Sequence, residues 1–279
     1  MAEAAVTRAG RRERRGATRW ALRGLSIAYV GVLVLVPLGV VIYRTFAPGL
    51  HTFFGALGDT GTSHAFTLSA IIALSAVLIN TVFGIGVALL LTRYRFPGKR
   101  VLSALVDLPV AISPIVVGLA LILVYGNKGW FGSLLSTIGL HVINSTPGMV
   151  LATVFVSLPL VVRAVAPVLE QAGTEQEQAA RSLGANAMAR FRRVTLPTIR
   201  AAVAYGVVLS LARCLGEYGA VLVVSGNIQG QTETATLRID NLYETDLRPQ
   251  AAYAVTFVLV AAAILAIVAI TFIRRRVDR

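Results

Sequence analysis

Cysteine is all but missing from this sequence. Cys214 stands alone among 279 residues, which excludes any internal disulfide framework. It lies in an apolar run, where a small inert hydrophobe fits better than a reactive thiol. Charge is scarce too, at 14% of residues, against the roughly one quarter usual in soluble globular domains. The only histidines, His51, His64 and His141, stand away from any acidic cluster, so neither a metal centre nor a histidine base is expected. No G-x-x-x-x-G-K-[ST] stretch occurs, which removes that backbone cradle for ATP phosphates. The apolar runs hold no Ser/His, Asp/Asp or metal-ligand constellation, which argues against an intramembrane enzyme; turnover by the purified chain alone would revive that reading.

What the chain has instead is apolar length. It is 56% hydrophobic with a mean hydropathy of +0.74, which points to the bilayer. The net charge of +13 does not signal nucleic acid, because the basic residues cluster between apolar runs and not along one face of a fold. Six runs are long enough to cross about 30 Å of hydrocarbon, near 24–43, 65–92, 101–125, 147–168, 201–225 and 251–273. The first, with no charge between Arg23 and Arg44, is too long for a cleaved signal peptide and no A-x-A site follows it, so it reads as a retained span. Pro109 and Pro114 are expected to kink the third span. Asp107 reads there as a polar anchor near the cytoplasmic end.

Orientation follows from the basic residues. Arg8, Arg11, Arg12, Arg14, Arg15, Arg19 and Arg23 precede the first run, and RYRFPGKR (93–100) carries four more. The central loop adds Arg181, Arg190, Arg192, Arg193 and Arg200, and the terminal RRRVDR adds four. The opposite segments hold only Arg44, Lys128, Arg238 and Arg248. Twenty against four makes both termini and the 170–200 loop cytoplasmic. On the other side, Trp130 and Phe131 suit the membrane interface, and 227–250 reads as a polar loop with room for a short helix that dips back.

The central loop, EQEQAARSLGANAMARFRRVTLP (175–197), is the one long polar insertion. EQEQAARSL is rich in helix formers and Gly184 suits the turn that ends it. A second helix is expected over Ala185 to Val194, broken by Pro197 before the next span. The alanines admit a partner closely, and Leu183 offers an apolar knob.

Gln178-Ala179-Ala180, then Gly184 after three residues, then Val194, Leu196 and Pro197 resemble the E-A-A-x3-G-x9-I-x-L-P signature of ABC-importer permeases, with two substitutions. Gln178 stands for the acidic residue, with Glu177 beside it, and Val194 stands for isoleucine. The resemblance covers nearly the whole chain from about residue 25. DLPVAISPIVVGLALILVYGNKGWFG (107–132) is similar to sulfate and molybdate permeases, and residues 192–237 are most similar to sulfate/thiosulfate permeases. The SGNIQGQTETATLRIDNLY region (225–243) favours the CysW type over its CysT-type paralogue.

The resemblance implies an all-α integral membrane protein with six transmembrane helices and the type I ABC importer permease fold, N and C termini cytoplasmic. Basic tails at 1–23 and 274–279 would flank a permease domain at 24–273. Glu177, Gln178, Ala179, Ala180, Leu183, Gly184 and Pro197 would couple the chain to an ATPase. Implied partners are a CysT-type permease paralogue, two copies of a cytoplasmic ABC ATPase that bind the ATP and Mg, an extracytoplasmic sulfate/thiosulfate-binding protein and membrane lipid. No cofactor is expected in this chain, and no nucleic acid.

Within the fifth span, Arg213 and Glu217 stand one helical turn apart. Two readings fit: the pair neutralises itself against apolar surroundings, or Arg213 faces the pathway and attracts the passing anion, helped by Ser210, Tyr218 and Ser225. A molybdate or tungstate permease is the alternative substrate reading, since these are also tetrahedral dianions. An ion-coupled secondary transporter would favour acidic or His residues near mid-membrane and inverted repeats; apart from Glu217, which Arg213 can pair, neither is evident.

Overall fold

The computed structural model describes the backbone of residues 2–277 and the side chains of residue 20 and residues 22–269. The side chains of Arg8 to Arg19 and Arg274 to Arg279, part of the basis for the expected orientation, lie outside the described residues. Among the described residues every regular element is helical.

Helix α1 (Ala2–Phe46) includes an apolar stretch, Leu22–Phe46, long enough to span a membrane and exposed along most of its length, with Thr45 buried at its end against α13. A short α2 (Leu50–Gly58) leads into α3 (Thr60–Arg93), whose first turn is capped by the Asp59 carboxylate, an acceptor for the Thr62 N–H. The expected kinked span over 101–125 is instead two helices, α4 (Lys99–Ala111) and α5 (Pro114–Tyr125), meeting at 115°. Ile112 and Ser113 are both extended, Ser113 because the Pro114 ring disfavours helical backbone in the residue before it. Pro114 then opens α5, where its missing N–H costs little, while Pro109 sits inside α4 without breaking it.

After α6 (Gly132–Thr137), α7 (Thr146–Ala172) forms the fourth span. The polar insertion supplies α8 (Glu175–Ser182) and α9 (Ala187–Arg190). The expected break at Pro197 is absent. A π-helical turn (Phe191–Thr195) joins α9 directly to α10 (Leu196–Leu215), giving one continuous rod from Ala187 to Leu215. Pro197 falls in the first turn of α10, where the register changes and a missing donor is least costly.

The run expected at 201–225 also divides. α10 stops at Leu215, and α11 (Gly219–Ser225) follows a three-residue break. Within 227–250, where a polar loop with room for a short helix is expected, α12 (Ala235–Asp240) forms and buries its Ala235, Leu237 and Arg238. α13 (Pro249–Val277) is the last span.

Helix α7 lies at the centre, against α3 on one flank and α10 on another, while α5 packs on α11 and α13 joins α10 to α1 and α2. Lipid tails are as apolar as leucine, so helix association here depends on close contact more than on leaving water. Two glycines provide that contact. A Cβ on Gly84 would lie 2.8 Å from Val161 Cβ, and one on Gly206 would lie 3.1 Å from Ala164 Cβ. Around them Ala88, Val161, Val165, Leu169 and Ile199 form one core, and Leu68, Met149, Val221 and Leu237 belong to a second toward the opposite end. Fully buried Asn80 donates to Ser157 Oγ (2.8 Å) and to the Val154 carbonyl (3.1 Å), a polar tie between α3 and α7.

Candidate coupling loop and intramembrane polar sites

The loop after α7 turns at Gly173 (φ +64) and starts α8, with Glu175 and Glu177 in its first turn, where the positive helix end favours acidic groups. α8 closes in a Schellman motif: Gly184 N–H bonds the Arg181 carbonyl (2.9 Å) and Ala185 N–H the Ala180 carbonyl (3.0 Å). Gly184 takes φ +84, a left-handed conformation costly for other residues. Asn186 then caps α9 by accepting from Ala189 N–H at 2.8 Å.

The seven residues singled out in this loop divide. Gln178, Ala179, Leu183 and Gly184 face solvent, Ala180 is half-buried, and Pro197 is exposed at the start of α10. Gln178 uses its amide on Thr174 Oγ1 at 3.0 Å. Leu183 is 89% exposed, an apolar side chain presented at the end of a polar helix. Met188 on α9 is a second exposed apolar side chain of this insertion, at 64%.

Glu177 points the other way, into its own chain. Its Oε1 accepts from Arg93 Nε and Nη2, each at 3.1 Å, and from Thr195 Oγ1 at 3.1 Å. Arg93 also donates through Nη1 to the Leu169 carbonyl at 2.9 Å. Nearby, Asp107 on α4 pairs with Arg163 on α7 at 2.9 Å, both about half-exposed, beside a cavity of about 270 Å³ that Lys99 and Glu170 also line.

In the fifth span, Arg213 Nη1 lies 2.7 Å from Glu217 Oε2. The Glu217 side chain is only 2% exposed, against 39% for Arg213. Glu217 Oε1 accepts from Ala220 N–H (3.0 Å), and its carbonyl accepts from Thr236 Oγ1 (2.8 Å). The pair thus ties α10, α11 and α12 together across the break. Tyr218 is half-buried beside it. Ser210 and Ser225 are buried within the chain: Ser210 lies 3.9 Å from Cys214, which donates to Ser157 Oγ, and Ser225 accepts from Asn227 N–H.

A polar cluster that sequence reasoning missed surrounds Arg238, whose side chain is 3% exposed. It pairs with Asp59 (3.0 Å), Asp246 (3.5 Å) and Glu233 (3.7 Å). Asn241 donates to Glu233 Oε1 at 2.6 Å and exchanges bonds with Asn227. Burial alone would raise the Asp59 carboxyl, but the Thr62 N–H and the Arg238 charge outweigh it and hold the group below its ordinary value of 3.8. Among the described residues, no group of three or more His, Cys, Asp and Glu is placed to hold a metal ion.

Residues 80–279 match the family described as binding-protein-dependent transport system inner membrane component. The chain is 45% identical over 236 residues to the sulfate transport system permease protein CysW of Synechococcus elongatus, covering 85% of this chain and 82% of that one. It is 37% identical over 257 residues to the sulfate transport system permease protein CysT of Salmonella typhimurium, covering 92% of each. A bacterial alginate ABC transporter, solved in complex with an alginate pentasaccharide-bound periplasmic protein, has the same fold, with a TM-score of 0.78 over 95% of this chain and 96% of that one at 16% identity.

Proposed function

The chain belongs to the family of binding-protein-dependent transport system inner membrane components, and from that premise we propose that it forms half of the translocation pathway of an ATP-driven importer for sulfate or thiosulfate. It is a multi-pass membrane protein of a family that is not itself catalytic. The substrate class follows the sulfate permeases it resembles, and the greater identity to the CysW relative than to the CysT one supports a CysT-type paralogue as the other half.

The coupling mechanism is carried by one observation. In a chain otherwise built of apolar rods, α8 buries none of its residues and ends in the exposed Leu183. Such a surface suits the groove of a soluble partner, and the partner proposed is a cytoplasmic ABC ATPase present in two copies, which binds the ATP and Mg. Gln178, Ala179, Leu183 and Gly184 would meet it. That places the 170–200 loop and both termini in the cytoplasm, with 1–23 and 274–279 as basic tails around the permease domain at 24–273. A sulfate/thiosulfate-binding protein would deliver the anion to the opposite face, near the Arg238 cluster. Arg213, Glu217 and Tyr218, where the fifth span breaks, would border the path, with Ser210 and Ser225 supporting it from within.

Energetics favour such coupling. Moving a dianion inward against about 100 mV, inside negative, costs roughly 4.6 kcal/mol, twice the single-charge figure. A passive pore would let sulfate leak outward. Labelled-sulfate uptake, restored by this chain in a strain that lacks it and competed with molybdate, tests the substrate. Uptake insensitive to low molybdate is expected; strong competition at low concentration would reassign the chain to molybdate or tungstate.

A further inference from the structure

The side chains of α8 are all exposed or only half-buried, and the helix makes few contacts beyond the π-helical turn and α9. Packing alone therefore cannot carry a displacement of α8 to the second, fourth and fifth spans together. One polar assembly can. We propose that Glu177 and Arg93 form a transmission clamp, a pair of positioning residues through which movement of α8 reaches the second, fourth and fifth spans together. This rests on the coupling reading above, and it gives Glu177 a role distinct from contact with the ATPase.

The geometry is specific. A single carboxylate oxygen of α8 receives three donors, two from the last residue of α3 and one from Thr195, which is 5% exposed at the foot of α10. The same guanidinium holds the Leu169 carbonyl, among the last four of α7, which have no partner inside their own helix. A cation is also favoured at the negative C-terminal ends of α3 and α7, and an anion at the N-terminal turn of α8. Charge placement therefore agrees with bonding at three elements, and the Thr195 hydroxyl adds the fourth. The space behind the clamp, lined by Leu169, Gln176, Val194 and Thr198, is only about 10 Å³. The three donors meet the Glu177 oxygen directly, at 3.1 Å each. Because α9, the π-helical turn and α10 are continuous, a pull on Thr195 is a pull on the whole fifth span.

The test uses the assembled complex in proteoliposomes, reading sulfate transported per ATP hydrolysed and ATPase retained on purification. E177A should keep the ATPase bound while transport per ATP falls roughly fivefold or more, the lower range of a typical coupling. R93E should fall likewise, and R93E combined with E177R should recover part of the loss. A merely stabilising pair would reduce the yield of complex but leave the ratio in surviving complexes unchanged, and that result overturns the proposal. Loss of the ATPase from E177A overturns it too, by making Glu177 a docking contact. If E177A fails to insert, T195V, which removes one hydroxyl, replaces it; the same ratio should fall, and an unchanged ratio refutes the clamp. Failure of the unmodified chain to retain any ATPase sinks the coupling reading itself, a result distinct from all of these.

Discussion

Arg238 shows what single residues contribute in this protein. It is a guanidinium with almost no solvent, facing three carboxylates drawn from the α2–α3 junction, the segment before α12 and the turn before α13. Removing one partner of a buried ion pair typically costs about 3–5 kcal/mol, and here it would leave the buried Glu233 uncompensated while Asp59 and Asp246 keep partial access to water. R238M should therefore lower the thermal unfolding midpoint in detergent sharply; a midpoint within a degree or so of the parent would show that the cluster is loosely held. Asp59 gives the cluster a pH signature. Its depressed folded value means that its stabilising contribution is fully present above its ordinary value of 3.8 and is lost as pH falls through the lower folded value. D59N should thus be destabilised at neutral pH and converge with the parent only under strong acid. For Arg213, two measurements on R213A separate its roles. Reduced transport with an unchanged unfolding midpoint places it on the pathway, whereas a fallen midpoint with intact transport per complex makes it the counter-ion of buried Glu217.

At the scale of elements, glycines set the helix packing and the turn that ends α8. A side chain at Gly84 would run into Val161, so G84L should overpack the α3–α7 contact by roughly 1–3 kcal/mol, read as earlier unfolding. Gly184 differs: nothing lies within 4 Å of a Cβ there, and only its backbone angle is demanding. G184A should cost about 1–2 kcal/mol of local strain, misdirect the end of α8 and lose the ATPase on purification while the chain still inserts. Retention of the ATPase by G184A would contradict the docking role. The spans and the α8–Gly184 turn were legible in the sequence because they depend on local length, helix propensity and a left-handed glycine. The 115° bend was only half legible. Pro114 marks where the helix must stop, but α5 packing on α11 sets where it goes next. Pro197 misled because the π-helical turn that absorbs it has no simple residue signature. The Arg238 cluster and the Glu177 clamp were hidden for another reason: their partners lie far apart in the chain, up to 179 residues for Asp59 and 84 for Arg93. No local pattern records such a pairing.

Taken whole, the molecule is a set of rods tied at both ends by charge. The Arg238 cluster fixes the end where α2, α12 and α13 meet, and the Glu177–Arg93 pair fixes the end that carries α8. Between them, glycine contacts and the Asn80–Ser157 bond hold α3, α7 and α10 together. Membrane hydrogen bonds average only about 0.6 kcal/mol, so the close contacts dominate that middle layer. A bundle stiff in this way suits rigid-body movement driven from one end. The most direct measurement of that account is labelled-sulfate accumulation in proteoliposomes holding this chain, its permease partner and the ATPase, with loaded binding protein outside and ATP enclosed. Accumulation above the external concentration is expected only with hydrolysable ATP and loaded binding protein. Accumulation that persists without ATP and follows an imposed proton or sodium gradient would contradict it.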